Sequence, residues 1–180
     1  MVVASDRALA LVSERSYLAT VLRDMTTHDL DAVLALNGAN VPEVGSVDEA
    51  RLTHLFAESA IALVHHTDDA LDGFCIVFGP GADYDSVNYV WFEANHPGSM
   101  YLDRVAVADT ARGRGIGSAL YAEVERRIAA DHPQATGWTL EVNVDPPNEA
   151  SLAFHRRLGF VEVGRQLSKG IEVSLMRRDL

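Results

Sequence analysis

Between Tyr101 and Tyr121 the chain reads YLDRVAVADTARGRGIGSALY: a strand-like run, a turn in which five of the seven residues from Ala111 to Gly117 are Arg or Gly, then an apolar stripe. Ile116, Leu120, Val124 and Ile128 recur at every fourth position, so a helix begins within Arg114 to Gly117. The unpaired amides of its first turn face whatever sits there. Glycine lets a ligand approach the backbone closely, the helix dipole favours an anion, and Arg112 and Arg114 add positive charge. A strand feeding such a helix start is therefore a candidate anion site. The plainer alternative is a flexible turn carrying two solvated arginines.

Several anions are excluded by detail. Gly113, Gly115 and Gly117 fall at every second position and Ser118 follows, so a GxGxxG dinucleotide fingerprint misses its third glycine by one place. That fingerprint also belongs in an opening βαβ unit, whereas this loop follows four expected strands. The Gly-Lys-Ser/Thr ending of a phosphate-binding P-loop is absent. A net charge of -11 opposes nucleic acid, because affinity for a polyanion comes mostly from Lys and Arg neutralising phosphates. The same field suits a cationic or amine-bearing small partner.

At 180 residues with 48% hydrophobic content the chain fits one globular domain, expected over residues 17–180 behind an extension at 1–16. Asp6, Arg7 and Glu14 interrupt that extension, which fits neither a signal peptide nor a membrane span, so a cytoplasmic protein is expected. The one cysteine, Cys75, sits in the apolar run GFCIVF and reads as a buried thiol; it allows no intramolecular disulfide. The histidines lack the spacing of a metal site, and none is expected.

The element order follows from periodicity and breakers. A strand is expected at Ala19 to Thr26 and a helix after Thr27. Pro42 and Gly45 break the chain before a second helix with Leu52, Leu55 and Phe56 on one face. IALVHH and LDGFCIVFGP read as strands joined by a turn at Thr67 to Ala70, and Gly79 to Ser99 as a long loop, with room for one helical turn, around Tyr84, Tyr89, Trp91 and Phe92. MYLDRVAVA is a strand, the glycine turn opens the third helix, and WTLEVNVD is a strand stopped by Pro146 and Pro147. Asn148 caps a fourth helix that ends near Gly159, and a hairpin around Lys169 and Gly170 closes the chain. The order βααβββαβαββ describes a mixed α/β (α+β) sheet without internal repeats.

The succession LDRVAVAD, Arg-x-x-Gly-x-Gly, LEVNVD and Asn148 with LAFHRRLGF resembles the GNAT superfamily of acetyl-CoA-dependent N-acetyltransferases, by motif over Tyr101 to Phe160 and by element order elsewhere. The resemblance implies a mostly antiparallel central sheet flanked by helices and splayed between the LDRVAV and LEVNVD strands, with acetyl-CoA in the gap. It implies pyrophosphate contacts at Arg112, Gly113, Arg114, Gly115, Ile116 and Gly117, with Ser118, Asn148 and Ser151 beside them. Val105, Ala106 and Val107 would pair with the pantetheine arm, the Val107 amide polarising the thioester carbonyl.

Acetyl transfer by direct attack needs a deprotonated amine, a polarised carbonyl and a proton for the departing thiolate. Glu141 lies on the strand face opposite Leu140, Val142 and Val144 and matches the family's Glu base; otherwise it is a solvated or salt-bridged carboxylate. Asp103, read as sharing a face with Tyr101, Val105 and Val107, is the rival base or an ion-pair partner of Arg104. His155 stands where NxxAxxLYxxLGF members carry the tyrosine that protonates the thiolate. A neutral imidazole can still donate one N–H there, or His155 can simply pack. Trp91, Phe92 and Tyr101 are candidate walls for an acceptor, a small-molecule or peptide amine. The departure at His155 leaves a non-catalytic acyl-CoA-binding module as the rival reading, and a homodimer stays open.

Overall fold

The computed structural model describes residues 21–67 and 70–180; the expected extension at 1–16 and the centre of the β2–β3 turn lie outside them. Seven strands form one sheet: β1 (Val21–Asp24), β2 (Ile61–Thr67), β3 (Ala70–Phe78), β4 (Ser99–Val107), β5 (Gly137–Asp145), β6 (Val161–Ser168) and β7 (Ile171–Asp179). Their order is β1-β2-β3-β4-β5-β7-β6, antiparallel throughout except for β4 against β5. The helices are α1 (Leu30–Ala39), α2 (Glu49–Glu58), α3 (Val87–Asn95), α4 (Ile116–Asp131) and α5 (Glu149–Arg157).

The expected order holds with one addition. Residues 87–95, expected within a loop, form α3. Its β-branched and aromatic residues carry no clean helical stripe, since Asn88, Tyr89 and Phe92 are buried while Val87 and Val90 are exposed. Ser86 starts it by accepting the Asn88 amide. The α1 end also differs slightly: a 3₁₀ turn at Thr27–Asp29 precedes the helix, capped by Thr26 rather than Thr27, with the Asp29 carboxylate taking the Thr26 amide at 2.8 Å.

Two apolar layers clamp the sheet. On one face Ile116, Leu120, Val124 and Ile128 of α4 pack with Leu102, Trp138, Leu140 and Leu152. On the other, Val33, Leu36, Leu52 and Leu55 of α1 and α2 pack with Phe74, Phe78, Tyr101 and Phe92. Alternation along β5 puts Leu140 and Val142 toward α4, so Glu141 faces the other layer as its strand pattern predicts.

The split that matters lies between β4 and β5. Their parallel ladder runs only from Ser99 opposite Gly137 to Leu102 opposite Leu140. Beyond it β4 stays paired to β3 while β5 stays paired to β7, and a gap opens. A bulge marks the fork: Ile76 pairs with Arg104 and Val77 with Leu102, leaving Asp103 unopposed. The extra residue inverts the facing of everything after it. Asp103 therefore does not share one face with Tyr101, Val105 and Val107: Tyr101 and Ala106 belong to the α1–α2 layer, Val105 and Val107 to the α4 layer.

Candidate active site

The gap is a cleft of about 850 Å³ that runs through the sheet. Gly115 to Ser118 of the α4 start and Ser151, Phe154 and His155 of α5 wall it on one face. The α1–α2 connection (Pro42 to Gly45), Tyr84, Asn88 and the β6–β7 turn wall it on the other. Val105, Ala106 and Val107 run along its β4 side.

At the α4 end the expected anion cradle is present in outline. Gly113 (φ +74°) and Gly115 (φ +83°) adopt left-handed backbone that favours glycine. A β-carbon built on Gly113, Gly115 or Gly117 would meet nothing within 4 Å, so the space above the first-turn amides is open to a ligand. Arg112 lines the cleft, its guanidinium held by Asn40 Oδ1 at 2.9 Å and Asp109 at 3.0 Å. Arg114 is not among the lining residues. Asn148 and Ser151 line the cleft, but the Asn148 side chain is occupied in capping α5, accepting the Ser151 amide at 3.1 Å.

The β4 edge offers donors. The Ala108 amide is taken by Asp72 O on β3 at 2.8 Å, and amides alternate between the two edges of a strand. The Val107 and Val105 amides therefore point into the gap.

At the fork the Tyr101 hydroxyl donates to Glu141 Oε2 at 2.6 Å. Burial, and then the negative charge of Asp103, push the Glu141 carboxyl up to about 7. Asp103 is itself engaged on both oxygens: Tyr84 donates to Oδ1, and Arg104 Nε lies 2.9 Å from Oδ2. The Glu141 carboxyl, at about 7, can exchange a proton near neutral pH.

His155 is buried, with both ring nitrogens in use. Nδ1 lies 2.8 Å from Ser151 O, a contact that requires N–H on that nitrogen, so Nε2 accepts from the Tyr121 hydroxyl at 2.6 Å. Burial holds its pKa down at about 4, so the imidazole is neutral. In this tautomer the ring has no N–H left for a sulfur; the free donor expected of His155 is absent, and Tyr121 is the hydroxyl beside it in the cleft.

Trp91, Phe92 and Tyr101 do not line the cleft; Tyr101 is buried and reaches the site only through its bond to Glu141. Trp91 covers Gly164 of β6, where a β-carbon would come within 2.9 Å of its ring, and Phe92 packs on Tyr101 at 5.8 Å between ring centroids. Tyr84 and Asn88 from the same segment line the cleft instead. Sequence reasoning missed Tyr121, Arg104 and Lys169 as cleft residues, while Tyr84 belongs to the aromatic group that the sequence offered as an acceptor wall. Tyr121 carried one usable signal: it falls one residue after Leu120, at the edge of the α4 stripe that faces α5.

A family model described as the acetyltransferase (GNAT) family matches residues 46–160. Among solved structures, the ribosomal-protein-alanine N-acetyltransferase of Brucella melitensis is similar at 26% identity and TM-score 0.68, covering 89% of this chain and 99% of that one. Arabidopsis thaliana NAA60 in complex with acetyl-CoA is similar at 18% identity and TM-score 0.69, covering 90% and 99%. The aminoglycoside acetyltransferase AAC(6')-Ib in complex with coenzyme A is similar at 19% identity and TM-score 0.68, covering 89% and 95%. No curated protein matches the sequence. No helix among the described residues is long and apolar enough to cross a membrane. With the splayed sheet, the glycine-opened α4 and a family match across most of its length, this chain belongs to the GNAT family of acetyltransferases.

Proposed function

We propose that the protein transfers an acetyl group from acetyl-CoA to a primary amine of a small molecule or peptide by direct attack. The observation that carries this reading is Glu141: a half-buried carboxylate facing the cleft, brought to about 7 at the point where β4 and β5 part. The open cradle over Gly113, Gly115 and Gly117 fits a pyrophosphate, with Arg112 beside it, and the unpaired β4 edge at Val105 to Val107 fits an extended amide-bearing arm. Acetyl-CoA supplies the activated acetyl thioester.

Glu141, steadied by Tyr101, accepts the proton released as the amine becomes a nucleophile, directly or through water. The Val107 amide donates to the oxygen on which charge develops. Near the leaving sulfur we place the Tyr121–His155 pair. His155 Nε2 holds the phenol and Ser151 O holds the ring, so His155 is a positioning residue and Tyr121 the group that can turn its O–H toward a thiolate. Direct attack also agrees with the cysteine: Cys75 is buried, its thiol raised to about 12, which leaves no thiolate to carry an acyl group.

The test is release of free thiol from acetyl-CoA in the presence of a panel of amines. Amine-dependent release that is lost in Glu141→Gln supports the reading; failure of the intact protein to bind coenzyme A overturns it.

A further inference from the structure

Gly45, between α1 and α2, lines the cleft on the face away from α4. A β-carbon built on it would find only two heavy atoms within 4 Å beyond its chain neighbours, Arg104 Nη2 and Lys169 Nζ, each 3.9 Å away. Two cationic nitrogens, one from β4 and one from the β6–β7 turn, thus converge on one open point.

Among the described residues neither nitrogen has a partner at the point itself, although the Arg104 guanidinium is ion-paired away from it, through Nε with Asp103. Arg104 is 6% exposed; its Nη1 donates to Asn37 Oδ1 at 2.8 Å and to the Gly45 carbonyl at 2.6 Å, and its Nε faces Asp103. Nη2 has no partner among the described residues. Lys169 is the only lysine in the sequence, stands at the β6–β7 turn with φ +51°, and has no ion pair among the described residues. Glu43 lines the same cleft but stays beyond 4 Å of the point. An unpartnered guanidinium N–H on the cleft wall with an ammonium beside it is a ready pair of charged donors for an anion such as a carboxylate.

We propose that this point is the acceptor's carboxylate subsite, so that the amine acetylated by this protein carries a carboxylate, its nitrogen toward Glu141 and its carboxylate between Arg104 Nη2 and Lys169 Nζ. The inference rests on the acetyltransferase reading above and narrows its substrate class. The carboxylate is either that of a free amino acid or an acidic side chain of a peptide; both present the same two oxygens to the site.

Gly45 makes the subsite testable without dismantling it. Its contacts at 3.9 Å are ordinary van der Waals distance and its φ is not left-handed, so Gly45→Ala fits the fold while its methyl occupies the point. In the full-length protein, acetylation is compared for acid and amide forms of the same acceptors: glycine, β-alanine and γ-aminobutyrate with their amides, and C-terminally amidated glycyl-aspartate with C-terminally amidated glycyl-asparagine. The expected result is a KM at least about tenfold lower for the best acid than for its amide, collapsing toward equality in Gly45→Ala and Lys169→Met. The spacer length that responds separates a free amino acid from an acidic peptide. Occupancy is read independently by labelling Lys169 with an amine-reactive acylating reagent and mass spectrometry of its peptide. N-acetylated amino acids should protect it several-fold and their amides should not. Equal KM values for acids and amides in the wild type, or equal protection by both, overturn the subsite. Protection by carboxylates with no acetylation of any amine overturns the acetyltransferase reading and leaves the subsite standing.

Discussion

The Tyr101 hydroxyl donates to Glu141 Oε2 at 2.6 Å, tying β5 back to β4 one residue beyond the last rung of their ladder. The bond lies where the sheet divides and holds the half-buried carboxylate that the proposed mechanism uses as its base. With the Glu141 pKa at about 7, kcat/KM should rise roughly tenfold per pH unit below 7 and level off above it. Glu141→Gln should lower it by about two to three orders of magnitude and remove the inflection. Initial rates of thiol release across pH 5.5 to 9 check both; a wild-type profile flat through 7 would transfer the base role elsewhere.

Removing the Tyr121 phenol should slow turnover while leaving the cofactor in place. Tyr121→Phe is expected to reduce kcat by roughly 10- to 100-fold with little change in KM for acetyl-CoA, and His155→Phe by a similar factor. The double variant should be no worse than the poorer single, because the two side chains act as one hydrogen-bonded unit. Losses that multiply in the double variant would separate their roles.

Two groups of the cleft, Glu141 and His155, should give stability opposite slopes with pH. Glu141 is raised from its ordinary value to about 7, so the stability it supports is complete below about 4.5 and is lost as pH rises through 7. His155 is lowered to about 4, so its contribution is complete above about 6.5 and is lost as pH falls through 4. Each amounts to about 3 kcal/mol over its window, and between about pH 4.5 and 6.5 the slopes nearly cancel. Relative to wild type, Glu141→Gln should make stability climb with pH over that interval, and His155→Phe should make it fall. Urea unfolding at half-unit pH steps gives the difference curves.

Adjacent glycines of the α4 start should part company on substitution. Gly117 has helical backbone with open space above it, so Gly117→Ala should stabilise the protein by about 0.5–1 kcal/mol while weakening acetyl-CoA binding. Gly115 sits at φ +83°, so Gly115→Ala should weaken binding and cost about 1–2 kcal/mol in stability as well. Thermal melts with calorimetric titration of coenzyme A distinguish the pair; unchanged binding in both would remove the pyrophosphate from this helix start.

Much of the fold was legible because its signals are local. The stripe of α4, the Asn148 cap and the prolines that end β5 need only their neighbours in sequence. Glu141 was legible too, since strict alternation with Leu140 and Val142 fixes its face. Asp103 was not: a bulge inserts one residue into a period of two, and nothing in LDRVAV marks it. The engaged state of His155 was hidden because its partner, Tyr121, is 34 residues away and joined to it only by the packing of α5 on α4. Arg104 and Lys169 meet near Gly45 through three separate elements, a convergence that no spacing along the chain records.

The cleft that passes through the sheet carries a kinetic consequence. Because its two mouths open on opposite faces, one between α4 and α5 and the other between the α1–α2 segment and the β6–β7 turn, acceptor and donor need not share a doorway. Neither has to depart before the other arrives. Double-reciprocal plots with both concentrations varied should therefore intersect, as for a ternary complex, and a desulfo analogue of the donor should compete with acetyl-CoA while leaving the acceptor's entrance free.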